Sequence, residues 1–186
     1  MRDLWKGLAM LAVDTDLRTA VMQKAKVDDH PDLSPALREQ PNVDALREID
    51  AIYRTRGLYL GTYALAEINR WMVKHQQAFS DALDRLRDAI TKSLEVGSKS
   101  QNPGFLEAVG VLVADPLLRE QFGKDLIQLR DEGFQISPLE QDALRDDFLP
   151  GSAGAECAEE IFNLGWSSSS CAARKLVYGG LFHFNM

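Results

Sequence analysis

Residues 62–95, TYALAEINRWMVKHQQAFSDALDRLRDAITKSLE, decide the fold class. Leu65, Ile68, Met72, Phe79, Leu83, Leu86, Ile90 and Leu94 recur at steps of three, four or seven, and Glu67, Arg70, Lys74, Asp81, Asp84, Arg85, Arg87 and Asp88 occupy the other faces. That period predicts one long amphipathic α-helix, packed on one side and wet on the other. A stripe of this length needs a partner helix. It also offers a seam for a homodimer, although Ala82 and Ala89 on its inner edge make a strong coiled coil a poor fit.

On the N-terminal side, Val43 to Arg54 repeats the helical period and stops at Arg56-Gly57. Before it, Leu4 to Val13 and Thr15 to Met22 read as two short helices, with Asp14 placed to cap the second. Lys24 to Asp32 is polar, and Pro31, Pro35 and Pro41 break the region into turns. On the C-terminal side, Gly97 to Gly104 has linker composition. Phe105 to Ala114 is an apolar helix, Asp115-Pro116 places a capping acid before a proline at the first helical position, and Leu117 to Leu129 is a further helix stopped by Gly133. Ser137-Pro138-Leu139-Glu140 is a capping box opening a helix through Leu144 or Phe148. The expected fold is all-α, a compact multi-helix bundle with a long central helix. Its expected parts are an N-terminal module over 1–96, a second small module over 105–148, and a hinge with a tail or closing segment over 149–186.

Composition narrows the function classes. The 186 residues are 45% hydrophobic and 26% charged, ordinary usage for a soluble globular chain. A net charge of -7, from 28 acids against 21 bases, argues against a nucleic-acid or anionic-membrane partner. Charged residues interrupt every apolar run well short of the roughly 20 residues a membrane-spanning helix needs. Two cysteines, Cys157 and Cys171, are too few for a secreted disulfide lattice, and the N-terminus has no cleavage-site pattern, so a cytoplasmic location is expected.

The sequence also repeats itself. LWKGLAMLAVDTDLR, residues 4–18, aligns without a gap on FLEAVGVLVADPLLR, residues 105–119, so that the apolar positions and the Asp-x-x-Leu-Arg elements coincide. Leu33-Ser34-Pro35 and Ile136-Ser137-Pro138 correspond after a two-residue shift. An internal duplication is the expectation from this pattern.

The stretch from Phe105 to Arg145 resembles a small helical domain known in two settings: the non-catalytic small subunit of extradiol aromatic-ring dioxygenases, and the leader region of ribosomally made, enzymatically modified (RiPP) peptide precursors. The latter include nitrogen-fixation-associated leader peptides and the recognition domain of split borosin precursors. The resemblance implies a helical recognition module that docks a larger enzyme and supplies no catalytic residue, metal ligand or cofactor of its own. Asp115, Leu118, Arg119, Phe122, Phe134 and Ile136 are the partner-binding positions it suggests. Unlike the dioxygenase subunits, this chain has its Gly179-Gly180 pair far beyond the capping-box helix.

The C-terminal segment reads in two ways. Leu149 to Ala155 is rich in turn formers, and Ser167, Ser168, Ser169, Ser170 and Cys171, together with Cys157, match what a modifiable peptide core needs, since serine can be dehydrated and a thiolate adds to the resulting alkene. The other reading makes Glu156 to Leu164 a last helix with Cys157 buried as a small hydrophobe, Ser167 to Ser170 a loop, and Lys175 to Phe184 a closing segment. Three function classes follow: a RiPP-precursor-like recognition protein presenting its tail to a modifying enzyme, an accessory subunit of an extradiol-type dioxygenase, or a helical interaction protein with no modification. Asp28-Asp29-His30-Pro31-Asp32 reads as a solvated acidic turn, His75 as part of the apolar stripe, and the aromatic group Tyr53, Tyr59, Tyr63 and Trp71 as core.

Overall fold

The computed structural model describes residues 2–29, 32, 39–100 and 103–168. Within them the chain forms α1 (Arg2–Val13), α2 (Thr15–Lys24), β1 (Val27–Asp29), β2 (Glu39–Pro41), α3 (Val43–Arg54), α4 (Thr62–Lys74), α5 (Gln76–Ala89), α6 (Thr91–Ser100), α7 (Pro103–Ala114), α8 (Pro116–Gly123), α9 (Pro138–Asp147) and α10 (Ala153–Ser168). The fold is an all-α bundle. β1 and β2 add a two-stranded antiparallel ribbon, with Val27 opposite Pro41. Asn69, fully buried on α4, holds the chain entering that ribbon: its Oδ1 accepts from the Lys26 N–H at 2.8 Å and its Nδ2 donates to the Lys26 carbonyl at 2.8 Å.

The caps form where the sequence places them. Asp14 accepts from the Leu17 N–H at 2.8 Å and Asp115 from the Leu118 N–H at 3.0 Å, both in extended backbone. Ser137 and Glu140 complete the reciprocal capping box. Asn42 opens α3 by accepting from the Ala45 N–H at 2.9 Å, while its Nδ2 donates to both carboxylate oxygens of Asp28. Each cap satisfies an N–H that has no partner within its own helix.

The single helix expected over 62–95 is three. It breaks at His75 and Ile90, both outside helical backbone geometry. Polar His75, Gln76 and Gln77 interrupt the apolar stripe between Met72 and Phe79, and at the break the rings of Trp71 and Phe79 meet edge to face at 5.8 Å. After Ile90, the Thr91 hydroxyl donates to the Asp88 carbonyl at 2.8 Å, serving a helix end. Leu65, Ile68, Met72, Phe79, Leu83, Leu86 and Ile90 are buried and Leu94 is packed against the same core, so the stripe is spent within the chain rather than left as a dimer seam.

The core axis is α7 instead. Phe105, Ala108, Val109, Val111, Leu112 and Val113 are all buried, as a helix apolar on every side requires. α7 lies along α1 and also packs on α8 and α10, while α1 packs on α4 and α4 on α10. Gly110 permits the α1–α7 approach, because a Cβ there would stand 2.7 Å from the Trp5 Cα. One continuous core therefore joins residues from Leu4 to Ile161.

Two other sequence expectations change. Gly97 is helical and lies under the Phe105 ring, so most of the expected linker continues α6 and begins α7. The helix expected over 117–129 stops at Gly123, and the chain turns through Asp125 at φ 57°. Leu33-Ser34-Pro35, the second element of the proposed repeat, lies outside the described residues.

Candidate functional site

The module singled out by the sequence lies where α8 and α10 meet. Asp115 caps α8, and one turn later Arg119 passes beneath the cap with only 5% of its surface exposed. Its Nη1 donates to the Leu112 carbonyl at 2.7 Å and the Val113 carbonyl at 3.2 Å, the unpaired end of α7. Its Nη2 forms an ion pair with Glu159 of α10. One guanidinium thus ties α7, α8 and α10 together. Burial lowers the Arg119 pKa, opposed by the charges of Glu159 and Asp115, and burial raises the Asp115 pKa against the backbone N–H groups of Leu118 and Leu117.

The matching element at the N-terminus has the same local form. Arg18, 4% exposed, stands four residues after the capping Asp14, donates to the Ser80 carbonyl at 3.3 Å and pairs with Asp84 of α5. The two capping acids are shifted in opposite directions. Burial also raises the Asp14 pKa, but the hydrogen bond from Arg56, 2.7 Å away, and the Leu17 N–H outweigh it, and the net shift is downward.

These placements assign most suggested partner-binding positions to the fold. Asp115, Arg119, Phe122, Phe134 and Ile136 are buried, and Leu118 is partly buried against the core. Phe122 lies under the Arg145 guanidinium at 5.2 Å, and Phe134 stacks obliquely on Trp5 at 6.4 Å between centroids. Phe122, Phe134 and Ile136 are thus core residues, while Arg119 and Leu118 keep a small part of their surface open. The exposed apolar residues nearby are their neighbours Leu117, Leu126 and Leu139. Sequence reasoning missed them because a capping and apolar pattern marks which residues hold a module together, not which face outward.

The segment from Leu149 to Ala155 leads into a packed helix. α10 starts at Ala153, and its apolar side, Cys157, Ala158 and Ile161, is buried against α5, α7 and α4. The helix closes on Trp71 through Gly165, where a Cβ would stand 2.7 Å from the indole. The Trp71 Nε1 is buried without a hydrogen-bond partner among the described residues. Ser167 and Ser168 form the last described turn of α10; Ser169, Ser170 and Cys171 lie outside the described residues, as do His30 and His183.

α10 separates two open grooves. One, of about 570 Å³, is walled by Pro116, Arg119, Phe148, Pro150 and Glu159. The other, of about 460 Å³, is walled by Arg85, Asp88, Cys157 and Glu160. Glu156 borders both. Burial raises the Cys157 thiol pKa, with Arg85 opposing and Glu160 and Glu156 adding to the rise, so the group is a neutral thiol at pH 7. Among the described residues no three metal-ligating side chains cluster, and no helix is long and apolar enough to cross a membrane. No protein-family model, curated protein or solved structure matches this chain.

Proposed function

We propose that this protein is a non-catalytic recognition protein of the RiPP-precursor kind: a folded helical body that a larger modifying enzyme engages, carrying a serine- and cysteine-containing segment at its C-terminal side. The observation that supports this reading is the position of the last helix. α10 is locked into the body as far as Gly165, and the run Ser167 to Cys171 begins within one turn of that lock. A rigid body placed directly before reactive residues fixes their distance from a docked enzyme, which is the entropic advantage an enzyme gains by holding its substrate at a remote site. Leu117, Leu126 and Leu139, exposed apolar residues beside the expected partner-binding positions, are the candidates for docking.

An intact-mass spectrum with peptide mapping, on protein purified from its native host, tests this. Loss of water at Ser167 to Ser170, added methyl groups beyond Ser168, or cleavage beyond Ser168 is the expected result. A full-length unmodified mass with both thiols free, in a host expressing the neighbouring genes, would overturn it.

A further inference from the structure

The groove between α8 and α10 joins an apolar lining to acidic groups. Pro116, Phe148, Pro150 and Ala155 supply the first, and the exposed Leu117 and Leu149 stand next in sequence to the two prolines. Glu120, Glu156 and Glu159 supply the second. Lys124 answers Glu120 and Arg119 answers Glu159, whereas the exposed Glu156 carboxylate has no ion-pair partner among the described residues.

The N-terminal half of the chain shows what can close such a corner. There α1 and α2 are followed by α3, and the turn after α3 sends Arg56 back onto Asp14, the cap of α2, at 2.7 Å. In the C-terminal half α7 and α8 are followed by α9, with Asp115 and Arg119 in the positions of Asp14 and Arg18. The next helix packs alike in both halves, α4 on α1 and α10 on α7. The turn after α9, Leu149 to Ser152, contains no basic residue, and among the described residues no arginine bonds Asp115. One half thus closes the corner with its own guanidinium. The other leaves an open groove of about 570 Å³, walled by Pro116 directly after the cap and by Pro150 and Gly151 of the turn.

We propose that the α8–α10 groove is a docking site for an arginine-bearing apolar segment of a partner protein, its guanidinium supplying on this half what Arg56 supplies on the other and pairing with Glu156, its apolar neighbours resting on Pro116, Phe148 and Pro150. This rests on the reading above only in making the partner a modifying enzyme. Arginine suits the place because its planar fork meets a carboxylate through two parallel hydrogen bonds. The apolar lining keeps water from part of that pair and strengthens it, and the acidic lip orients the incoming segment.

Titration of the full-length, isotope-labelled chain with the synthetic peptide Leu-Trp-Arg-Leu, followed by amide chemical shifts, tests the proposal, with Leu-Trp-Glu-Leu as the control. Saturable shifts at Gly151, Ala155, Glu156 and Glu159 are expected. The affinity is expected to fall about five-fold or more in Glu156→Lys and in about 0.5 M salt, and to stay unchanged in Asp88→Asn of the other groove. Equal binding of the control peptide, shifts confined to other surfaces, or no shift up to millimolar peptide would overturn the proposal. So would concentration-dependent shifts of the same residues without peptide, which would make a second copy of the chain the occupant. An unmodified native mass alongside groove binding removes only the RiPP reading, and modification without groove binding removes only this one.

Discussion

Gly110 of α7 faces the main chain of Trp5 of α1 so closely that a Cβ on it would overlap the Trp5 carbonyl oxygen. The obstacle is backbone, which no rotamer change relieves, so Gly110→Ala must push the two helices apart. The expected loss is about 3 kcal/mol, the upper range for overpacking. Chemical denaturation of the variant measures it, and a loss below about 1 kcal/mol would mean that α1 and α7 are not held in this contact.

The two capping aspartates should respond oppositely to acid. Asp14 has a lowered pKa in the folded chain, so its contribution is present above the ordinary aspartate value of about 3.9 and is lost as pH falls through the lowered one. Asp115 has a raised pKa, so between about 3.9 and that raised value the folded chain binds more protons than the unfolded one. Asp14→Asn is therefore expected to be destabilising at pH 7, with its deficit closing below pH ~4. Asp115→Asn, which keeps a capping oxygen, is expected to compare best with the parent at pH 7 and progressively less well as pH falls. Thermal unfolding of both variants from pH 7 to pH 3 decides, and parallel curves would contradict the assignment.

Arg119 should matter more than its position on a short helix suggests. Arg119→Met keeps the aliphatic stem but leaves the Leu112 and Val113 carbonyls and Glu159 without their donor. A loss of about 3 kcal/mol is expected, the lower bound for breaking a buried pair by removing one partner. Glu159→Gln, altering the half-exposed end of the same pair, is expected to cost less than about 1 kcal/mol. Equal losses from both variants would show that the carbonyl contacts carry nothing.

Cys157 should be a slow thiol. It is 8% exposed and its pKa is raised by burial, so both access and thiolate population are small at pH 7. Alkylation mapped by mass spectrometry is expected to label Cys157 only at the rate of unfolding. Labelling in the native state at the rate of a free cysteine would place α10 off the body.

What the sequence disclosed was local, and what it withheld was tertiary. Asp14, Asp115 and Ser137 announce helix starts because a cap is decided within four residues, and the structure keeps all three. The breaks at His75 and Ile90 lay hidden because a stripe at steps of three, four and seven survives a change of helix direction. The Gly97 to Gly104 stretch looked like a linker because glycine reads as flexibility until Phe105 is seen packed over Gly97. Asn69 and Ser93, fully buried and bonded to Lys26 and Asp147, are polar residues whose partners lie dozens of positions away, beyond any sequence window. Burial was withheld for the same reason: Phe122, Phe134 and Ile136, expected at a partner surface, are apolar because they are inside.

The seating of Trp5 against Gly110 also sets an order of events during synthesis. α1 is made before α7 by about a hundred residues, so the part of its surface that α7 covers, including the Trp5 main chain, stays open after α2, α4 and α5 have been made and until the ribosome has released α7. Closure of that pair is a long-range step that must await α7, so α1 cannot complete its packing within the stretch that precedes it.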